Sequence, residues 1–168
     1  MRLKILVLSL ALAQAKVSLD ETLTWLVNFS KEHGHSIEVN TGRKLDVTTL
    51  RLVDGCSIEV EHEFQVPSRS KLRKRTETIS LGDFDPAKIE LPPAGLTDMA
   101  DNPVFTLTME TSDSERKIPA TLEMTDGSKK KVLIAQEHFD MDSREAAFRF
   151  QKALAHAVNL CGGQRSPF

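Results

Sequence analysis

The 168-residue chain has no tyrosine, one tryptophan and eight phenylalanines. Flat ring faces on which bases or sugars could stack are therefore scarce, and no stacking platform is visible. It also lacks the strained Gly-x-Ser-x-Gly turn of a serine hydrolase and any Gly-rich loop opening a helix, so neither acyl-enzyme chemistry nor a phosphate cradle is signalled. Cations are not in excess, at 22 Lys+Arg against 24 Asp+Glu. Nucleic-acid binding rests on clustered cations neutralising phosphates, and a mildly acidic chain gives no general reason to expect it. Long apolar runs are missing too. The longest, Ile5 to Ala13, would rise about 14 Å as a helix against a hydrocarbon core of roughly 30 Å, so no stable transmembrane span is expected.

That short run has a different meaning in its setting. Arg2 and Lys4 precede it, and Ala13-Gln14-Ala15 places small residues at the −3 and −1 positions of a cleavage site. This is the layout of a signal peptide over residues 1–15, leaving 16–168 as a single domain exported to the periplasm or secreted. An apolar helix packed on the domain is the alternative, but Ile5 to Leu12 has no solvent face. No cysteine follows the cut, so a lipid anchor is not indicated. Without Arg2 and Lys4 the remainder carries 20 cations against 24 anions.

Ser18-Leu19-Asp20-Glu21 reads as a capping box, starting a helix at Leu19. Leu19, Leu23, Leu26, Val27 and Ser30 form its stripe, and Gly34, in a left-handed conformation, ends it near His33. Alternation then predicts seven antiparallel strands: Val47–Leu52, Cys56–Val66, Arg73–Leu81, Ala87–Leu91, Val104–Thr111, Lys117–Met124 and Lys131–Phe139, with Ser36–Val39 a weak extra. The second sets Cys56, Ile58, Val60, His62 and Phe64 on one face and Ser57, Glu59, Glu61, Glu63 and Gln65 on the other. A two-residue turn at Asp54-Gly55 would pair Arg51 with Ile58 and bury a cation, so a three-residue loop pairing Leu50 with Ile58 is preferred. Asp126-Gly127 marks another tight turn, Asp83-Phe84-Asp85-Pro86 reads as a turn, and Pro92 to Pro103 is irregular. A last helix runs from about Asp142-Ser143-Arg144-Glu145 to Leu160, stopped by Gly162-Gly163.

A helix, seven antiparallel strands and a closing helix, over Val47 to Gly163, resemble the pleckstrin-homology-like barrel in topology, which implies an α+β, partly open barrel capped by its C-terminal helix. The ending Ala153-Leu154-Ala155-His156-Ala157-Val158-Asn159-Leu160-Cys161-Gly162-Gly163 is similar to the tails of short exported bacterial proteins. That resemblance implies a compartment rather than an activity. Cys56 and Cys161 both fall on faces expected to point inward, one on a strand and one at the end of the closing helix. They are either a disulfide, which export permits, or two buried thiols that never meet. A bridge closing a loop of roughly 100 residues would contribute about 3–5 kcal/mol.

The densest charge feature is Arg69-Ser70-Lys71-Leu72-Arg73-Lys74-Arg75. Arg69, Lys71, Arg73, Lys74 and Arg75 could hold an anionic group or a partner. Alternatively, pairing Ile58 with Ile79 sets Glu63 opposite Lys74 and Glu61 opposite Thr76, so that some of these cations answer the glutamate face. In the pleckstrin-homology resemblance, phosphoinositide ligands are held mainly by the loop joining the first two strands, and here Val53-Asp54-Gly55 carries no cation. His33, His35 and His138, the last near Asp140 and Asp142, lack the spacing of a zinc or calcium site. His156 is expected on the surface, and His62 as a hydrogen-bonded histidine near a barrel mouth. No catalytic residue, metal or cofactor is assigned. The chain reads as a non-catalytic exported binding or scaffold domain for a peptide, protein or envelope component. Its rivals are a small extracytoplasmic hydrolase using Asp83, Asp85 or His138, and a structural subunit of an envelope assembly.

Overall fold

The structure, a computed structural model, describes residues 17–65, 71–98 and 101–163. The leader expected over 1–15 and the candidate Arg69 lie outside the described residues. The capping box forms as expected. Ser18 Oγ accepts from the Glu21 N–H, the Glu21 carboxylate accepts from the Ser18 N–H at 2.8 Å, and α1 runs Leu19–His33. Gly34 ends it for a reason other than the expected one. Its φ is −77°, not left-handed. A Cβ there would stand 2.3 Å from the Thr48 carbonyl oxygen and 2.4 Å from that of Ser30, so glycine lets the chain turn close against a strand.

Nine strands follow among the described residues, two more than the seven expected. They are β1 (His35–Glu38), β2 (Arg43–Asp54), β3 (Ser57–Phe64), β4 (Leu72–Ser80), β5 (Phe84–Glu90), β6 (Leu107–Thr111), β7 (Ile118–Met124), β8 (Lys129–Ile134) and β9 (Gln136–Phe139). The weak segment at Ser36 is a true strand because it finds β2 as a partner. The single strand expected over Lys131–Phe139 divides at Ala135, its halves entering different sheets. The turn expected at Asp83–Pro86 is only half a turn. Leu81–Asp83 forms one turn of 3-10 helix, and Phe84 begins β5 with its ring fully buried. α2 (Arg144–Leu160) closes the chain, with the Ser143 side chain accepting from the Ala146 N–H and Gly162 at φ +80° beyond its end.

All strand pairs are antiparallel. The six-stranded sheet has the order β1-β2-β3-β4-β7-β8 and the three-stranded sheet the order β5-β6-β9, a barrel-like pair of sheets that is not closed. α1 packs on β2 and α2, while α2 packs on β5. Their apolar stripes, including Leu26, Phe29, Phe150 and Leu154, merge with Ile58, Val60, Ile79, Leu107, Met109 and Phe139 from the sheets into one core. Phe139 and Phe150 are fully buried, whereas Phe64 and Phe105 are only partly buried. Among the described residues, no helix is long and apolar enough to cross a membrane.

The β3–β4 register is the expected one: Ile58 opposite Ile79, Glu61 opposite Thr76, Glu63 opposite Lys74. The β2–β3 register is not. Leu52, rather than Leu50, faces Ile58, and the turn closes between Asp54 and Ser57. An irregularity between Leu52 and Asp54 absorbs one residue, which keeps the inward parity of Leu50 and Val60 without a left-handed Gly55. Cys56 consequently lies in the turn, not on the strand. Its sulfur is bonded to that of Cys161, 105 residues away, with 5.7 Å between the Cα atoms. This cross-link ties the β2–β3 turn to the end of α2.

Candidate functional site

The inward face of the six-stranded sheet changes character toward the end remote from the disulfide. Thr48 on β2, His62 on β3 and Arg75 on β4 are cross-strand neighbours there, and Glu77 is next along β4 on the same face. β9 of the other sheet brings Glu137 to them. His62 Nδ1 meets Thr48 Oγ1 at 3.0 Å, and His62 Nε2 lies 2.7 Å from Glu137 Oε1 and 3.0 Å from Glu77 Oε1. The Arg75 guanidinium donates to Glu137 Oε1 at 2.5 Å and to both Glu77 oxygens at 3.2 Å. His62, Glu77 and Glu137 are 3, 1 and 0 % exposed, which makes this a buried four-group charge network.

Burial pushes the Glu137 carboxyl up to about 7, with neighbouring Glu77 adding to the rise and His62 opposing it. Burial also works against charge on Glu77, but hydrogen bonds with His62 and Glu137 and the charge of Arg75 bring it down to about 2. For His62, burial disfavours the cation, yet hydrogen bonds to Glu137 and Glu77 prevail and raise it to about 9. Charged His62 and Arg75 thus face an ionised Glu77 and a Glu137 whose burial favours its neutral form, all in a buried setting. Among the described residues, buried Glu137 Oε2 has no hydrogen-bond partner.

Such a set can hold and share a proton, the raw material of acid–base chemistry. Two observations argue that it acts as a structural bolt. The side chains of His62, Glu77 and Glu137 are at most 4 % exposed, leaving no face for a substrate. Metal ligation fares no better. The ligand atoms of His62, Glu77 and Glu137 lie within 4.8 Å of one another, but Arg75 Nη2 stands 2.9 Å from His62 Nε2, 3.1 Å from Glu77 Oε1 and 2.5 Å from Glu137 Oε1. The guanidinium holds the place a metal cation would need. Sequence reading found His62 but missed Glu77 and Glu137. The available signal was strand parity, since Glu77 shares a face with buried Ile79 and Glu137 with buried Phe139.

The basic hairpin residues are separated by the fold. Arg75 turns inward, its side chain 16 % exposed, and answers the buried carboxylates rather than solvent. Lys74 pairs with Glu61 at 2.7 Å, and Arg73, 62 % exposed, reaches Glu123 at only 3.7 Å. Lys71 is exposed at φ +57°, its carbonyl accepting from the Thr125 N–H. Folding adds a cationic group the hairpin did not advertise. β8 carries Lys129, Lys130 and Lys131, all exposed, and Lys129 shares Glu123 with Arg73. The lysine run itself was the signal for it.

The remaining candidates stay apart. His33 Nδ1 lies 2.8 Å from Asp142 Oδ2, a pair 109 residues apart in sequence that ties α1 to the approach of α2. His35 is buried beside them, and burial, with Lys44, lowers its proton affinity. Among the described residues these do not form a ligand cluster. His138 meets Thr108 Oγ1 at 3.3 Å, Asp140 accepts from Thr106 Oγ1, and Asp85 accepts from the Ala87 N–H, so these side chains are engaged in local bonds. His156 is half-buried against the Val17 carbonyl. No protein-family model, curated protein or solved structure matches the chain.

Proposed function

We propose that the chain is an exported, non-catalytic binding domain on a pleckstrin-homology-like scaffold, recognising a protein or peptide of the cell envelope or exterior through the basic end of its six-stranded sheet. The observation that carries this reading is the convergence of Lys71, Arg73 and Lys74 with Lys129, Lys130 and Lys131 on one exposed end, where Glu61 and Glu123 are the acidic partners. A surface on which cations outnumber carboxylates attracts an anionic partner and steers its approach. The grouped acid–base side chains are sealed inside, which speaks against catalysis. Export is supported by the leader pattern in residues 1–15 and by a disulfide of a kind that persists in oxidising compartments. A C-terminal helix packed on β5 of the smaller of two antiparallel sheets supports the scaffold reading.

The test is charge reversal at Arg73 and Lys74, leaving the buried Arg75 untouched. Circular dichroism should be unchanged while co-sedimentation with the envelope fraction of the producing cell is lost. Undiminished co-sedimentation would remove the basic end from consideration. Intact mass of the extracellular or periplasmic protein should show cleavage after Ala15 and the two-hydrogen deficit of the disulfide.

A further inference from the structure

An antiparallel sheet must do something with the unpaired backbone groups of its outer strands, because such edges invite another chain to pair. Two edges of this protein are capped by side chains. Next to β1, the Val39 N–H donates to Asn102 Oδ1 at 3.0 Å, and on β5 the Ile89 carbonyl accepts from Gln151 Nε2 at 2.6 Å. β8 differs. It ends the six-stranded sheet, and among the described residues its far side has no backbone or side-chain cap.

The register identifies the free groups. Met124 N–H donates to the Ser128 carbonyl at 2.9 Å, and Glu123 stands opposite Lys129. Bonded and non-bonded pairs alternate along an antiparallel ladder. The β8 positions bonded to β7 are therefore Lys130, Val132 and Ile134, while the N–H and C=O groups of Lys129, Lys131 and Leu133 point away from β7. Pro119 checks this independently. It faces Leu133 and has no N–H to give, which a non-bonded position tolerates. On the outer surface the same three residues present two ammonium groups and an apolar side chain, Leu133 being 56 % exposed.

We infer that β8 is a docking edge for an extended acidic segment of the partner protein, which adds as a further strand. Its carboxylates, spaced two residues apart, meet Lys129 and Lys131, and an apolar side chain covers Leu133. The main chain supplies hydrogen bonds to the three free positions, and side-chain charge supplies selection. Three successive lysines disfavour pairing with β8 of a second copy and favour a carboxylate-bearing strand. This inference rests on the binding-domain reading and deepens it by naming the partner's chemistry and the strand that meets it.

The probe is a peptide of alternating glutamate and valine, about the length of β8, followed by fluorescence anisotropy. It should bind the intact protein, weaken with salt, and protect the amides of Lys129, Lys131 and Leu133 from hydrogen exchange. N-methylation of the peptide amides that face β8 should weaken binding about tenfold or more, from loss of two or three hydrogen bonds. Leu133→Pro removes an outward N–H without taking a bond from the β7 ladder and should have the same effect. Lys129→Glu with Lys131→Glu should abolish binding of the acidic peptide. No binding by the intact protein, or equal binding of plain and N-methylated peptide, overturns strand addition and leaves the lysines as guards against edge pairing. The N-methylated peptide asks this of the wild-type chain, so a misfolded variant cannot hide the answer. If the wild type co-sediments with the envelope fraction and Leu133→Pro does so equally, the edge inference falls and the binding-domain reading stands. If the wild type itself does not co-sediment, the broader reading falls.

Discussion

Raising the pH from about 5 to about 9 should make this protein easier to unfold, whereas ordinary domains are most stable between roughly pH 5 and 8. The reason lies in the buried network. His62 has its folded value raised from 6.5 to about 9, so the stability it contributes is fully present below 6.5 and is lost as pH rises through 9. Glu137 is raised from 4.5 to about 7, because the interior favours its neutral form, and its contribution is lost between those values as pH rises. Asp46, raised to about 6 first by burial and then by Asp140, acts in the same direction over a lower range. Glu77, lowered to about 2, works the other way and loses its contribution only as pH falls below 4.5. A shift of this size corresponds to roughly 3 kcal/mol per group on full titration. An ionised Glu137 also helps hold the proton on His62, so the two losses do not simply add. We expect a net fall of roughly 3 kcal/mol across this range, a large fraction of the roughly 5–15 kcal/mol typical of a domain. Urea midpoints measured at constant ionic strength with the disulfide intact would show a maximum in mild acid and a steady decline above neutrality. In His62→Asn the limb between neutrality and about pH 9 should flatten. A wild-type midpoint that is level or rises over this range would refute the assignment of charge to the network.

Removing the cross-link by Cys56→Ala with Cys161→Ala should cost about 4–5 kcal/mol in the chain-entropy model, given the separation of 105 residues. Urea titration of the variant against the oxidised wild type measures it, and a loss below about 1 kcal/mol would mean that the unfolded chain gains little freedom when the link is cut. Gly34→Ala should destabilise by about 1–3 kcal/mol, since the added methyl meets two backbone carbonyls that cannot move aside like a flexible side chain. A thermal midpoint equal to that of wild type would show that the α1–β1 turn has room to relax.

Local patterns carried much of the architecture. The Ser18 cap, the span of α1, the start of α2 and the β3–β4 register all follow from neighbours in sequence and strand parity, and they stand as read. The Cys56–Cys161 bond was one of two open readings, and the fold decided it by bringing the sulfurs together. The β2–β3 register was misread because a one-residue irregularity preserves parity while shifting the partner, and alternation alone is blind to that. The division of the last strand at Ala135 was equally hidden. A continuous alternating run cannot say that its halves belong to different sheets.

The site shows the same boundary. Five cations near residue 72 look alike in sequence, yet β4 parity and the opposing β9 send Arg75 inward and Lys74 outward, while Arg73, of the same parity as Arg75, stays exposed beside the register irregularity between Leu72 and Lys74. Glu77 and Glu137 are 60 residues apart and meet only when two sheets are stacked. By itself the sequence determined both helices, most strand positions, the faces of β3 and the leader pattern, because these depend on propensity and periodicity over a few residues. Tertiary structure alone decided which charges are buried together, which cations remain exposed and which strand is left at an edge, because those outcomes depend on contacts between segments that no short-range pattern encodes.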